Sequence, residues 1–215
     1  LVFQRDLGTS LLYFGLFLSM LYIATGRTGW VVLGGGLFIA GGLIASQTLD
    51  YVHRRFTNWL DPFHDAQGAS YQLVQGLFGL ANGGMSGTGL GQGFPDDTPL
   101  SQSDYIIPSL GEELGLIGLF VILAAYLLFV GRGLRIGFAG QDDFGKLLAA
   151  GLAFTVALQV FIVIGGVTRV IPLTGLTAPF LAAGGSSLIS NWIIAALLLR
   201  LSNAVRNRPK LVIRA

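Results

Sequence analysis

Three carboxylates crowd one short stretch, "SQSDYIIPSLGEELGLIGLF": Asp104, Glu112 and Glu113. They lead into an apolar run that continues to Val130, and no Lys or Arg lies between Phe56 and Gly131. An acid at a membrane boundary with no basic neighbour in sequence is costly unless water, a cation or a substrate satisfies it. Desolvation raises a carboxyl pKa, which makes Asp104 a candidate general base. The structural alternative is an acid in an aqueous loop that caps the following helix. Glu112 and Glu113 fit a shared acidic cavity with Asp104, and they equally fit a first helical turn, where acids suit the helix dipole. Pro108 suits a helix start, and Ser109-Leu110-Gly111-Glu112 matches a capping box. At ~1.5 Å rise per residue, the stretch from Asp104 to Glu112 covers at most ~12 Å of helix axis. Acids this close can hold Mg²⁺ or Mn²⁺, with Asp104 and Glu112 as candidate ligands, or hold no metal.

Other segments carry weaker signals. "NGGMSGTGLGQGFPDDTP" has glycines at 83, 84, 87, 89, 91 and 93. Its backbone N–H groups can cradle a sugar or diphosphate, or the segment is a flexible connector. It is neither a dinucleotide fingerprint nor a P-loop. Arg169 ends the apolar run "LQVFIVIGGVTR". It reads as a snorkelling cation or as a contact to a substrate diphosphate. "TAPFLAAGGSSLISNW" breaks at Pro179 and restarts through Ser186 and Ser187. A helix N-terminus there favours anions, and small residues there also suit close packing.

The elements that must position these groups are membrane helices. The chain is 53% hydrophobic and 11% charged, with mean hydropathy +0.70, where a soluble domain carries roughly a quarter charged residues. It lacks cysteine, which excludes a disulfide framework. Six apolar segments are predicted, at about 7–26, 30–49, 66–83, 108–130, 146–170 and 184–201. The third is shorter and more polar than the rest, with Tyr71, Gln72, Gln75 and Asn82. With the C-terminal tail 202–215 in the cytoplasm and strict alternation, most Lys and Arg face inward and only Arg27 and Arg169 face outward. This places the loop at about 82–104 outside. It places the amphipathic "YVHRRFTNWLDPF" (51–63) on the cytoplasmic surface. With its apolar start at Leu1, the chain reads as the C-terminal part of a longer polytopic protein.

Five ordered motifs then carry a resemblance. "QRDLGTS" resembles Q-P-D-L-G-T-S of the FtsW/RodA/SpoVE (SEDS) family. "LDP" at 60–62, with Tyr71-Gln72 and Gln75, is similar to its L-D-P…Y-Q…Q-S, and "GGMSGTGLGQG" to its G-G-x-x-G-x-G-x-G loop. "SDYIIPSLGEELGLIG" is similar to T-D-F-I-F-A…E-E-L-G-x-x-G. "IPLTGLTAPFLAAGGSSL" is similar to L-P-x-T-G-x-x-L-P-F-x-S-Y-G-G-S-S. The resemblance implies an all-α membrane fold of which this chain is the last six of ten helices. It implies a peptidoglycan glycosyltransferase that polymerises lipid II at the outer face of the bacterial cytoplasmic membrane. The growing strand is linked to undecaprenyl diphosphate, and the partner is a class B penicillin-binding protein, a transpeptidase. It implies Asp104 as the catalytic acid. Gln75, Gly84, Ser103, Glu112, Glu113, Arg169, Ser186 and Ser187 are implied as substrate-binding candidates. A divalent cation near Asp104 is compatible, and neither an organic cofactor nor a nucleic acid partner is implied. Departures stand at Arg5, Gly76, Ser103, Tyr105 and Ala182-Ala183. A lipid II flippase and a non-catalytic scaffold of the wall-building machinery are the competing functions; acids gathered on one side, rather than at mid-membrane, favour surface chemistry over transport.

Overall fold

The computed structural model describes residues 6–140 and 142–207, and among them all regular structure is helical. The helices are α1 (Leu7–Thr25), α2 (Thr28–Thr48), α3 (Asp50–Leu60), α4 (Tyr71–Gly83), α5 (Ile106–Ala139), α6 (Asp143–Val167) and α7 (Gly185–Arg206), with a short 3₁₀ turn at Pro95–Asp97. Caps account for several of the ends. The Asp6 carboxylate accepts from Thr9 N (2.9 Å) and starts α1. Gly26 stops that helix at φ +66°, a left-handed conformation that glycine adopts without Cβ strain. The Asp142 carboxylate accepts from Gly145 N (2.6 Å) and starts α6.

Five helices, α1, α2, α5, α6 and α7, are long and apolar enough to cross a membrane. Their outward faces carry exposed Phe, Leu, Ile and Val, as lipid contact requires. The chain is a multi-pass membrane protein. α6 contributes many of the buried positions; Ala149, Ala153 and Val156 are fully buried along it. Small residues set its spacing from its neighbours. A Cβ on Gly133 of α5 would lie 2.7 Å from Ala153 Cβ, and one on Gly15 of α1 would lie 2.8 Å from Leu158. Such small-residue contacts let membrane helices approach closely.

The expected span at 66–83 is corrected. Its helical part is α4, only 13 residues, which at ~1.5 Å per residue is about 20 Å, too short for a ~30 Å core. α4 packs beside the start of α5: a Cβ on Gly76 would sit 2.7 Å from the Tyr105 ring and one on Gly83 would sit 2.0 Å from Gly111 O. With this span removed, segment 51–63 changes ends. Trp59 Nε1 donates to Arg169 O (2.9 Å) and Arg55 Nη1 donates to Leu173 O and Thr174 O (both 3.1 Å). α3 therefore lies at the same end of the bundle as the 84–105 loop, not opposite it. This end is called the site end below. α1 starts there, since a Cβ on Gly8 would lie 2.8 Å from Thr174 O. Arg27, which follows α1, falls at the far end. Arg5 and the tail residues 208–215 lie outside the described residues.

Candidate functional site

α5 is helical in two pieces. Gly115 has φ +67° and ψ −173°, backbone that is essentially restricted to glycine. A break there frees carbonyls before it and N–H groups after it, which must be satisfied in an apolar setting. The glycine-rich loop does this. Thr88 N donates to Glu112 O (2.9 Å) and Gly89 N to Glu113 O (3.0 Å), while Leu116 N donates to Gly84 O (2.9 Å) and Ile117 N to Met85 O (3.1 Å). The approach is close enough that a Cβ on Gly87 would lie 2.1 Å from Glu113 O. The loop is a backbone clip on a broken helix. Of the N–H groups read as a cradle for a sugar or diphosphate, those of Thr88 and Gly89 donate to helix carbonyls instead.

The two glutamates fasten the same clip. Glu112 is buried, and its Oε1 accepts from Asn82 Nδ2 (2.9 Å) and Phe94 N (3.2 Å). Glu113 Oε1 accepts from Gly91 N (3.1 Å). The capping box does not form. α5 starts two residues before Pro108, and the Ser109 hydroxyl donates back to Tyr105 O (3.1 Å).

Asp104 is different. It sits on the turn before α5, where Leu100 O accepts from Ser103 N (3.0 Å) and Tyr105 N (3.3 Å). Leu100 itself adopts φ +59°, an uncommon conformation for a leucine. The Asp104 carboxylate is half-buried and lies against Gly175, where a Cβ would be 3.6 Å from its Oδ2. Burial lifts its carboxyl above the usual range; a hydrogen bond from Ser103 and the Arg55 charge pull downward without cancelling that rise. The Ser103 hydroxyl also lies 3.4 Å from Leu100 O; with one proton to give, it favours the charged acceptor. Tyr105, fully buried with no partner for its hydroxyl among the described residues, is pushed up by burial and then by the Asp104 charge.

Arg55 is the residue that sequence reading missed. It lies far off in the chain, and strict alternation of six spans puts its segment at the other membrane face. Its guanidinium holds the carbonyls of Leu173 and Thr174, next to the Gly175 that faces Asp104. Its charge also reaches Asp6. Burial acts upward on Asp6 but is outweighed by hydrogen bonds from Thr9 and Gly8 and by Arg55, so that carboxyl lies below its usual range. Below this cluster an apolar cavity of about 970 Å³ runs between α1 and α2, from Trp30 and Gly34 up to Phe56, Leu173 and Thr174.

The remaining candidates scatter. Arg169 caps α3: its Nη2 donates to Trp59 O (3.0 Å) and Leu60 O (3.1 Å), and its Nε to Trp59 O (3.2 Å). Cations suit helix C-termini. Ser187 accepts from Thr177 Oγ1 (3.1 Å) and Asn191 Nδ2 (3.4 Å), whereas Ser186 is exposed in the first turn of α7. Ala183 N donates to Gln102 O (2.8 Å), which brings the start of α7 beside the Asp104 turn. Gln75 is half-buried on α4, and Gly84 O is taken by the clip. Among the described residues no three His, Asp or Glu side chains form a metal-holding group. Asp104 faces Gly175 while Glu112 faces Asn82 and Phe94, so the two do not form the shared cavity expected of them.

The profile of the FtsW/RodA/SpoVE family, described as a cell cycle protein, matches residues 1–207. This chain belongs to the FtsW/RodA/SpoVE family. It is 54% identical over 209 residues to the peptidoglycan glycosyltransferase RodA of Mycobacterium tuberculosis, covering 97% of this chain and 44% of that protein. It is 36% identical over 208 residues to the probable peptidoglycan glycosyltransferase FtsW of Geobacter metallireducens, covering 96% of this chain and 56% of that one. A solved structure described as "Structural coordination of polymerization and crosslinking by a peptidoglycan synthase complex" shares the fold with TM-score 0.74 and 26% identity, over 95% of this chain and 58% of that chain. The chain spans about half the length of these relatives. Two of the departures noted in the sequence, Gly76 and Tyr105, meet each other: a Cβ at Gly76 would lie 2.7 Å from the Tyr105 ring.

Proposed function

We propose that the protein carrying this chain is a membrane glycosyltransferase that polymerises lipid II, with Asp104 as its general base. The observation that carries this is the half-buried Asp104 carboxylate at the site end, lying against Gly175, with a basicity raised by burial and with Ser103 as its one side-chain donor among the described residues. Asp104 takes the proton of the acceptor GlcNAc 4-hydroxyl as that oxygen attacks the anomeric carbon of the lipid-linked strand. The bond from that carbon to the diphosphate oxygen breaks, undecaprenyl diphosphate departs, and the proton passes to water. Arg55 stands close enough to offset the charge of a departing diphosphate. The apolar cavity that ends at Leu173 and Thr174 suits a polyprenyl chain.

A divalent cation, Mg²⁺ or Mn²⁺, fits in one way only. Mg²⁺ commonly takes one or two carboxylates and completes its shell with substrate phosphates and water. Asp104 is the carboxylate that would hold it, and the ion would screen diphosphate charge.

The site end is read as the outer face. Arg27, Arg132, Arg135, Lys146, Arg200 and Arg206 lie at the far end, against Arg54, Arg55 and Arg169 at the site end. Cytoplasmic ends carry the excess of Lys and Arg. Nine of the chain's 11 acids, all but Asp142 and Asp143, lie at the site end. That concentration favours surface chemistry over a mid-membrane transport path. A class B penicillin-binding protein is the proposed partner, consistent with the synthase complex whose fold this chain shares.

The test is Asp104→Asn in the full-length protein with its transpeptidase. Asn keeps the shape and removes the base, and loss of general-base assistance typically costs ~10²–10⁴-fold in rate. Gel-resolved glycan made from lipid II should nearly vanish while co-purification and melting persist. Wild-type synthesis by this variant sinks the assignment; lipid II translocation with no polymer from the wild type would favour the transporter instead.

A further inference from the structure

We propose that the far end of the bundle holds a specific site for one anionic phospholipid, in the cleft between the last turns of α5 and α7. The cleft has a volume of about 470 Å³, within the range of small-molecule pockets. Two helix faces build it. Arg132, Arg135 and Ile136 share one face of α5, at spacings of three and four residues, and Leu199, Ser202 and Arg206 share one face of α7. Its floor is apolar, and its rim carries three guanidinium groups.

Among the described residues nothing neutralises that rim. Arg132, Arg135 and Arg206 have no carboxylate within ion-pair distance among the described residues, where the single ion pair is Lys146–Asp143 (3.3 Å). Of the two acids at this end, Asp143 is in that pair and Asp142 caps α6. The residues outside the description contain no Asp or Glu at all. The rim is thus open to an anion from outside the chain. Guanidinium is a strong phosphate partner. Helix-end cations also favour the dipole, but that effect acts at each helix end separately and needs no shared cleft. The apolar floor selects a lipid over a soluble phosphate. The position at the ends of membrane-length helices places the rim at headgroup level, and basic clefts between membrane helices on the cytoplasmic side suit anionic headgroups.

The experiment uses the full-length protein, delipidated in detergent and examined by native mass spectrometry. Phosphatidylglycerol and phosphatidylcholine with matched acyl chains are titrated separately. One phosphatidylglycerol should be retained at concentrations where phosphatidylcholine is not. R132Q/R135Q/R206Q should weaken that binding at least ten-fold, while R27Q/R54Q should leave it unchanged. Ser202→Trp, which fills the cleft and keeps every arginine, should weaken it as well. Equal retention of phosphatidylcholine, undiminished binding in both cleft variants, or displacement by millimolar inorganic phosphate would each overturn the proposal. None of these readouts involves glycan synthesis, so the outcome is independent of the proposed reaction.

Discussion

The sharpest structural prediction concerns Gly115 and its contrast with Gly91. Both glycines have positive φ, +67° and +69°. They differ in what surrounds them. A Cβ on Gly91 meets nothing within 4 Å, whereas one on Gly115 would lie 2.3 Å from Gly87 N and 2.6 Å from Met85 O. Gly91→Ala therefore carries only the left-handed penalty, ~1–2 kcal/mol. Gly115→Ala carries ~1–3 kcal/mol of backbone strain and must also push the clip off. Four backbone hydrogen bonds depend on that clip, at roughly 0.5–1.5 kcal/mol each. The total is about 3–9 kcal/mol, against a typical whole-protein stability of roughly 5–15 kcal/mol. Fluorescence-monitored melting in nanodiscs should show Gly115→Ala falling by ~6–12 °C or more, since 1 kcal/mol shifts Tm by about 2–4 °C at this size. Limited proteolysis should cut the 84–94 loop sooner in Gly115→Ala than in Gly91→Ala. Equal melting temperatures for the two variants would refute the claim that the loop is what completes the broken helix.

Other outcomes follow from the same geometry. Glu112→Gln keeps an acceptor for Asn82 and Phe94 and should lower Tm modestly, whereas Glu112→Ala leaves both donors unpaired, at ~1–3 kcal/mol each; glycan synthesis should track stability in both, and a full loss of synthesis in a stable Glu112→Gln would make the charge itself functional. Tyr105→Phe removes a buried hydroxyl with no partner and should hold or raise Tm, while Gly76→Ser should lower stability by ~1–3 kcal/mol through overpacking against the same ring; melting of the two single variants checks both signs. Asp104 has a folded pKa above its unfolded value, near 3.8. Its ionisation thus works against folding: the native state is relatively favoured below that value and loses this advantage as pH rises through the raised pKa. Asp104→Asn should therefore melt higher than wild type at neutral pH, with the difference closing toward pH 3.8; a constant difference across pH would contradict the burial argument.

Much of this architecture was legible in the sequence, and the failures have identifiable causes. The long apolar runs gave α1, α2, α6 and α7 to within a few residues because hydrophobic length is what a bilayer selects. The 66–83 segment misled because it is apolar enough to be a membrane element, yet Gln72 and Asn82 bond to Pro99 O and Glu112 at one end of the bundle. One wrong crossing inverted everything before it, which put α3 and Arg55 on the opposite face. Asp104 was visible as an acid with no basic neighbour. Its basic neighbour exists, but it comes from α3, 49 positions earlier, and local reading has no means of finding it. The capping box was a true sequence match, but α5 starts ahead of it, so Ser109 lies inside the helix and bonds back to Tyr105 O while Glu112 bonds to Asn82 and Phe94.

The division of labour among the three acids argues for a single reactive carboxylate. A carboxylate that takes a proton from a sugar must be reachable from solvent, and it serves best where structural donors do not tie it into the fold. Glu112 is buried, and Asn82 and the Phe94 N–H occupy its Oε1. Glu113 is tied to Gly91 through its own Oε1. Both point toward the clip, and the clip is what lets α5 break at Gly115. Asp104 lies ahead of that break, on a turn fixed by Leu100, and faces the 173–175 segment that Arg55 holds in place. The glutamates therefore do their work through the backbone, by fixing the piece of helix that carries Asp104. Substituting them should change the rate only as far as it displaces that piece, whereas substituting Asp104 should change the rate with the piece undisturbed.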